Sequence, residues 1–134
     1  MYIMLDTNMC IYIIKKKPLH IFDKFKTYSI FEIGISSITL SELEYGVEKS
    51  IRKEQNRDAL IEFLMPLSVV PYDDLAASHY GKIRAYLERR GQLIGPMDML
   101  IAAHARSLAV PLVTNNLSEF KKVHDLRVEN WLEG

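Results

Sequence analysis

Short apolar runs rich in β-branched residues alternate with longer amphipathic stretches along this chain, and no other feature constrains its fold as tightly. Runs at residues 2–5, 32–36, 67–72, 111–114 and 126–128 read as strands, the first of them fully buried. Helical patterning falls between them, at residues 9–14, 19–26, 39–50, 54–65, 75–90, 96–108 and 117–122. Strands separated by helices need crossovers, so a mostly parallel sheet covered on both faces is expected. The punctuation agrees: Asp73-Asp74 can cap the helix that follows, Gly91 stops it, and Pro96 suits the first position of the next. With 134 residues and no repeat, linker or low-complexity tract, a single domain spanning residues 1–134 is expected.

Composition removes several classes. Apolar residues at 49% and charged residues at 25% exclude a disordered chain. Seventeen basic residues balance seventeen acidic ones, so net charge argues neither for nor against nucleic acid. The single Cys10 has no internal disulfide partner, which suits a reducing cytosol. The start lacks the basic flank and long apolar core of a signal peptide, and no apolar run approaches the ~18 residues of a membrane span. A cytoplasmic protein is expected. Neither a P-loop nor a G-x-G-x-x-G follows the first strand, which disfavours nucleotide-binding modules.

The chemistry is carried by acids at strand and helix ends. The first strand stops on Asp6-Thr7-Asn8, which delivers a carboxylate to the sheet edge where open α/β folds place their sites. Helix capping explains Asp6 as well as a ligand role does, although Thr7 or Asn8 can take the cap and leave Asp6 free. Glu42 follows the second strand. Thr39-x-x-Glu42 and Ser41-x-x-Glu44 both fit capping boxes, and Glu42 lies off the expected core stripe of Leu40, Leu43, Val47 and Ile51. Asp98 falls in the first turn of its helix, where the macrodipole alone would stabilise it. Its same-face neighbours Ile101, Ala102 and Ala105 are apolar, however, and an inward-leaning acid needs a partner or a metal. Thr114-Asn115-Asn116 ends another strand, with Glu119 shortly after; a turn and a solvated acid are the plain account of these. Carboxylates brought together raise one another's pKa unless a cation neutralises them. Mg²⁺ or Mn²⁺ suits an all-oxygen site and can assist phosphodiester hydrolysis.

Several segments resemble the PIN-domain ribonucleases and, within them, the VapC toxins of bacterial toxin–antitoxin pairs. They are Met4-Leu5-Asp6-Thr7-Asn8, Ser36-Ser37-Ile38-Thr39-Leu40-Ser41-Glu42-Leu43 with Gly46, Ile94-Gly95-Pro96-Met97-Asp98, Leu112-Val113-Thr114-Asn115-Asn116 through Glu119-Phe120, and the closing Val128-Glu129-Asn130-Trp131. Order and spacing make the match specific over nearly the whole chain. The resemblance implies a three-layer α/β/α sandwich with a central mostly parallel sheet. It implies Asp6, Glu42 and Asp98 as metal-binding acids and Glu119 as a fourth, directly or through water. Many members carry a further aspartate where this chain has Asn115 and Asn116. Thr7, Thr114 and Asn116 would support the site.

The resemblance further implies an Mg²⁺- or Mn²⁺-dependent endoribonuclease that hydrolyses structured RNA, commonly tRNA in the anticodon region, and so arrests translation and growth. Homodimerisation is implied, as is inhibition by a VapB-type antitoxin that blocks the site and anchors the complex on operator DNA. No membrane partner is expected. Lys15-Lys16-Lys17, Lys24, Lys26, Arg52-Lys53, Arg89-Arg90 and Lys121-Lys122 are local basic clusters compatible with RNA. Rival readings are a metal-free ribonuclease using His20, His79, His104 or His124, an aspartyl phosphatase, a catalytically silent PIN-fold binding module and a metal-dependent nuclease for other RNA. The histidines are scattered, and His104 lies on the stripe Met97, Leu100, Ile101 and Leu108 as a partly buried structural residue. The phosphatase reading lacks its second acid, because Asn8 stands in that place.

Overall fold

In a computed structural model, which describes residues 1–132, one sheet contains β1 (Ile3–Leu5), β2 (Ile33–Ser36), β3 (Ser68–Val70), β4 (Leu112–Val113) and β5 (Val128–Glu129). The strand order is β3-β2-β1-β4-β5, and every neighbouring pair is parallel. The chain builds outwards from β1 through β2 to β3, then returns to place β4 on the other side of β1. Where the order reverses, between β1 and β4, the connections leave in opposite directions and open a crevice at the carboxyl ends of the strands.

Side chains on β1 alternate between two cores. Ile3 and Leu5 join a core with Met9, Cys10 and Ile13 of α1 (Thr7–Lys15), Ile21 of α2 (Leu19–Lys26), Leu43 and Val47 of α3 (Ser37–Glu48), and Leu60 and Phe63 of α4 (Lys53–Leu64). Met4 faces the other way, towards Ile83 and Leu87 of α5 (Asp74–Arg89), Ile101, Ala102 and Ala105 of α6 (Pro96–Ser107), and Phe120 of α7 (Leu117–Phe120). Two helical layers around the sheet give the expected α/β/α arrangement. Each fully buried Ile or Leu stabilises it by about 1.5–3 kcal/mol. Trp131 is buried in the first core and stacks on Tyr28, so the segment after β5 is packed down. Among the described residues, no helix is long and apolar enough to cross a membrane.

Local caps set the boundaries. Asp73 Oδ1 accepts from the Ala76 amide at 3.0 Å, Gly91 follows α5 with φ +63°, and Pro96 occupies the first turn of α6, all as expected. Three expectations need correction. Helix α1 starts at Thr7, two residues earlier than its apolar pattern. Helix α3 covers Ser37–Glu48 because Ser36 Oγ accepts from the Ile38 amide at 3.0 Å. Ile51 therefore lies beyond α3 and is fully exposed, outside the core stripe assigned to it. The last strand is Val128–Glu129 rather than residues 126–128, with Val113 in register opposite Glu129.

Candidate active site

Asp6 stands where β1 meets α1, at the crevice, and is 3% exposed. Extended backbone at Asp6 makes it the N-cap of α1, and its Oδ1 accepts from the Met9 amide at 2.9 Å. The expectation that Thr7 or Asn8 would cap and free Asp6 is thus overturned: both lie inside the helix. Capping and a ligand role remain compatible, because a carboxylate offers about four lone-pair sites. The Oδ2 atom accepts from the Thr114 hydroxyl at 2.5 Å. Thr114 Oγ1 in turn accepts from the Asn116 amide at 2.9 Å, so Asn116 supports the site through its backbone.

Glu42 lies in the second turn of α3, past the positions where a capping box operates, and Ser36 has already taken the cap. Its carboxylate accepts from the Thr7 hydroxyl, which ties the first residue of α1 to α3. Asp98 is the third residue of α6, half-buried over the apolar face formed by Ile101, Ala102 and Ala105. Glu119 on α7 is partly exposed and pairs with Lys122 at 3.4 Å.

The electrostatics connect these acids. Burial, chiefly, pushes the Asp6 pKa from 3.8 up to about 6, with repulsion from Asp98 and Glu42 adding to it; the bonds from Thr114 and the Met9 amide pull the other way. Asp98 is also raised, first by burial and then by the charges of Glu42 and Glu119. Asp6, Glu42, Asp98 and Glu119 thus form a run of mutually repelling carboxylates on one sheet edge. Among the described residues, no lysine, arginine or histidine forms an ion pair with Asp6, Glu42 or Asp98. Nor do three His, Cys, Asp or Glu side chains there converge as a preformed ligand set. Repelling, oxygen-only donors with lone pairs to spare fit a hard divalent cation, and Mg²⁺ characteristically takes one or two carboxylates and keeps its waters.

The other chemistry-bearing groups are engaged elsewhere. His20 Nε2 donates to the carbonyls of Trp131 and Leu132, each at 3.2 Å. Arg106 contacts both His79 and His124, and His104 is bonded to Ser36. His104 is 1% exposed, more deeply buried than its stripe position implied. Burial pushes the Cys10 thiol well up, with the charges of Asp6 and Glu42 adding, so the thiol stays neutral. One pair escaped the sequence: Asn115 Nδ2 donates to the Tyr12 hydroxyl at 2.8 Å beside Thr114. Asn-Asn after a strand signals only a turn, and nothing local links residues 103 positions apart. A groove of about 280 Å³ between α1, α3 and α4, lined by Ile11, Ile14, Leu43, Gly46 and Leu60, reaches Glu42.

Comparison with known proteins shows the family and the fold. The profile of the PIN domain matches residues 3–126. The tRNA(fMet)-specific endonuclease VapC of Salmonella typhimurium is 48% identical over 128 residues, covering 96% of each chain. Among solved structures, DNA-bound VapBC from Salmonella typhimurium superposes with a TM-score of 0.93 at 47% identity, covering 98% of both chains. VapBC2 from Rickettsia felis, bound to a DNA fragment from their promoter, gives 0.90 at 42% identity, covering 98% of this chain and 99% of that one.

Proposed function

The chain belongs to the PIN-domain family, and from that premise we propose that it is the VapC-type toxin of a toxin–antitoxin pair, a divalent-metal-dependent endoribonuclease of the cytoplasm. The observation that carries this reading is that Asp6, Glu42 and Asp98 repel one another at the β1/β4 crevice with no paired cation among the described residues, Asp6 being held by two hydrogen bonds. Asp6, Glu42 and Asp98 would hold Mg²⁺ or Mn²⁺, with Glu119 contributing through water. When bound, the ion would lower the pKa of water and stabilise charge on the phosphoryl oxygens.

The chain's own residues have separable tasks. Thr114 and the Met9 amide orient Asp6, and Thr7 orients Glu42. Lys122 beside Glu119 offers a cation to a phosphate at the rim, so cleavage should be salt-sensitive. In-line hydrolysis breaks the bond from phosphorus to the 3′ oxygen, leaving a 3′-hydroxyl and a 5′-phosphate. No side chain serves as nucleophile; the one thiol is buried and neutral. The substrate is structured RNA, with initiator tRNA the first candidate because a relative at 48% identity is named for it. Cleavage in the anticodon region would arrest translation and growth. The protein acts as a homodimer, and a VapB-type antitoxin inhibits it by entering the groove beside Glu42 and carries it to operator DNA.

Incubation of the purified protein with tRNA and sequencing of the new ends tests this reading. Cleavage that stops in EDTA, returns with Mn²⁺ and leaves 5′-phosphates is expected. EDTA-resistant cleavage leaving cyclic phosphates would overturn the metal mechanism, and unchanged cleavage by Asp6→Asn would overturn the site.

A further inference from the structure

Helix α6 carries an anomaly. Its buried face reads Met99, Ile101, Ala102, Ala103 and Ala105, yet His104 stands among them, 1% exposed. Burial lowers its pKa, so it is a neutral imidazole, and its Nε2 atom has no hydrogen-bond partner among the described residues. An apolar side chain would occupy that space without an unsatisfied nitrogen. What the imidazole gains lies on its other side. His104 Nδ1 and Ser36 Oγ are 2.7 Å apart, and both residues are buried. Ser36 Oγ is also the cap of α3. The neighbouring Ser37 Oγ accepts from the Tyr72 amide at 3.0 Å, and the Tyr72 ring meets His104 edge-on at 5.5 Å. Two consecutive serines therefore fasten α6 and the β3–α5 connection to the start of α3, and His104 is fixed from two directions.

Sequence position gives this fastening its meaning. Ser36 precedes Glu42 by six residues at the root of α3, and His104 follows Asp98 by six residues on α6. We propose that Ser36 and His104 are a positioning pair which sets the separation of Glu42 from Asp98. The proposal rests on the reading that those acids hold the ion. Neither residue touches the reacting atoms; both act through the helices they join. Displacement of a reacting group by about 1 Å costs on the order of a hundredfold in rate, which is the leverage that such a brace controls.

The test measures Mn²⁺ binding by calorimetry on the full chain and RNA cleavage as a function of Mn²⁺, beside thermal unfolding in EDTA. His104→Leu removes the bond and keeps the bulk, His104→Asn keeps a polar group at the reach of Nδ1, and Ser36→Ala removes one oxygen. His104→Leu should weaken Mn²⁺ binding and raise the half-saturating Mn²⁺ concentration by roughly tenfold, with KM for RNA within about twofold. His104→Asn should recover most of the loss, and Ser36→Ala should add nothing to the Mn²⁺ effects of His104→Leu, its lost α3 cap showing only in thermal unfolding. Folded His104→Leu with wild-type Mn²⁺ affinity would overturn the proposal, as would independent, multiplying effects of the two changes. Should His104→Leu fail to fold, Ser36→Ala alone decides: an unchanged Mn²⁺ requirement refutes the brace. The underlying reading fails separately, if Asp98→Asn binds Mn²⁺ as tightly as the wild type.

Discussion

Asp6 is asked to be buried, to cap a helix and to carry charge beside other acids, and these demands conflict. The unfolded chain ionises it near pH 3.8 and the folded chain near 6. The protonated form therefore stabilises the metal-free fold fully below pH 4, and that stability is lost as pH rises through 6, about 3 kcal/mol in all. Asp6→Asn keeps an oxygen for the Met9 amide and abolishes the charge. In EDTA at pH 7.5 it should resist urea better than the wild type, with the gap closing at pH 4, while cleavage falls by about a thousandfold. Divalent cation should raise the wild-type unfolding temperature more at pH 7.5 than at pH 5, which a thermal scan reads directly. Thr114→Val, which strips a bond from Asp6 and from the Asn116 amide, should lower cleavage by about tenfold. Asp6 and Asp98 were legible as candidate acids from their places at a strand end and over an apolar helix face, whereas Glu42 and Glu119 entered through the family resemblance. That Asp6 would cap α1 itself was not, since Asp6, Thr7 and Asn8 are equivalent caps until the backbone chooses one. The partners Thr114 and Ser36 were legible only as residue types; the bonds that define them span 108 and 68 residues.

At the scale of elements, strands were read well because five apolar runs have no other way to be buried together. Helix ends were read less well, because capping competes among adjacent polar residues. Ser36 won at α3, moved the helix back to Ser37 and left Ile51 in solvent. Within α5, Gly81 is exposed, and an added Cβ there would touch nothing. Gly81→Ala should raise stability by about 1 kcal/mol without changing cleavage, as measured by urea unfolding. Gly91 is the opposite case. Its φ of +63° is the left-handed region, so Gly91→Ala should cost about 1 kcal/mol although space is free. Gly81 lies inside α5 and Gly91 in the connection to α6, and only the second is required by its backbone.

For the whole molecule, the parallel sheet followed from the alternation of runs, but the strand order did not: periodicity is silent on which strand takes the centre. The apolar helices near the N-terminus and around residues 60–65 stood out as contact surfaces, but their meeting in a groove beside Glu42 did not, since its walls come from three helices. Gly46 forms part of its floor with open space around it. Gly46→Leu should leave RNA cleavage intact and weaken inhibition by a cognate antitoxin by about tenfold or more, as read from inhibition curves. The strand order has a consequence for timing. Strand β1 is translated first but sits between β2 and β4, and Asp6 receives its Thr114 bond from the far end of the chain. A nascent chain ending before β4 has the acids of residues 6, 42 and 98 and no edge to hold them against. The site therefore closes only after residue 114 has been made, so its completion belongs to the last stage of synthesis, however early its acids appear.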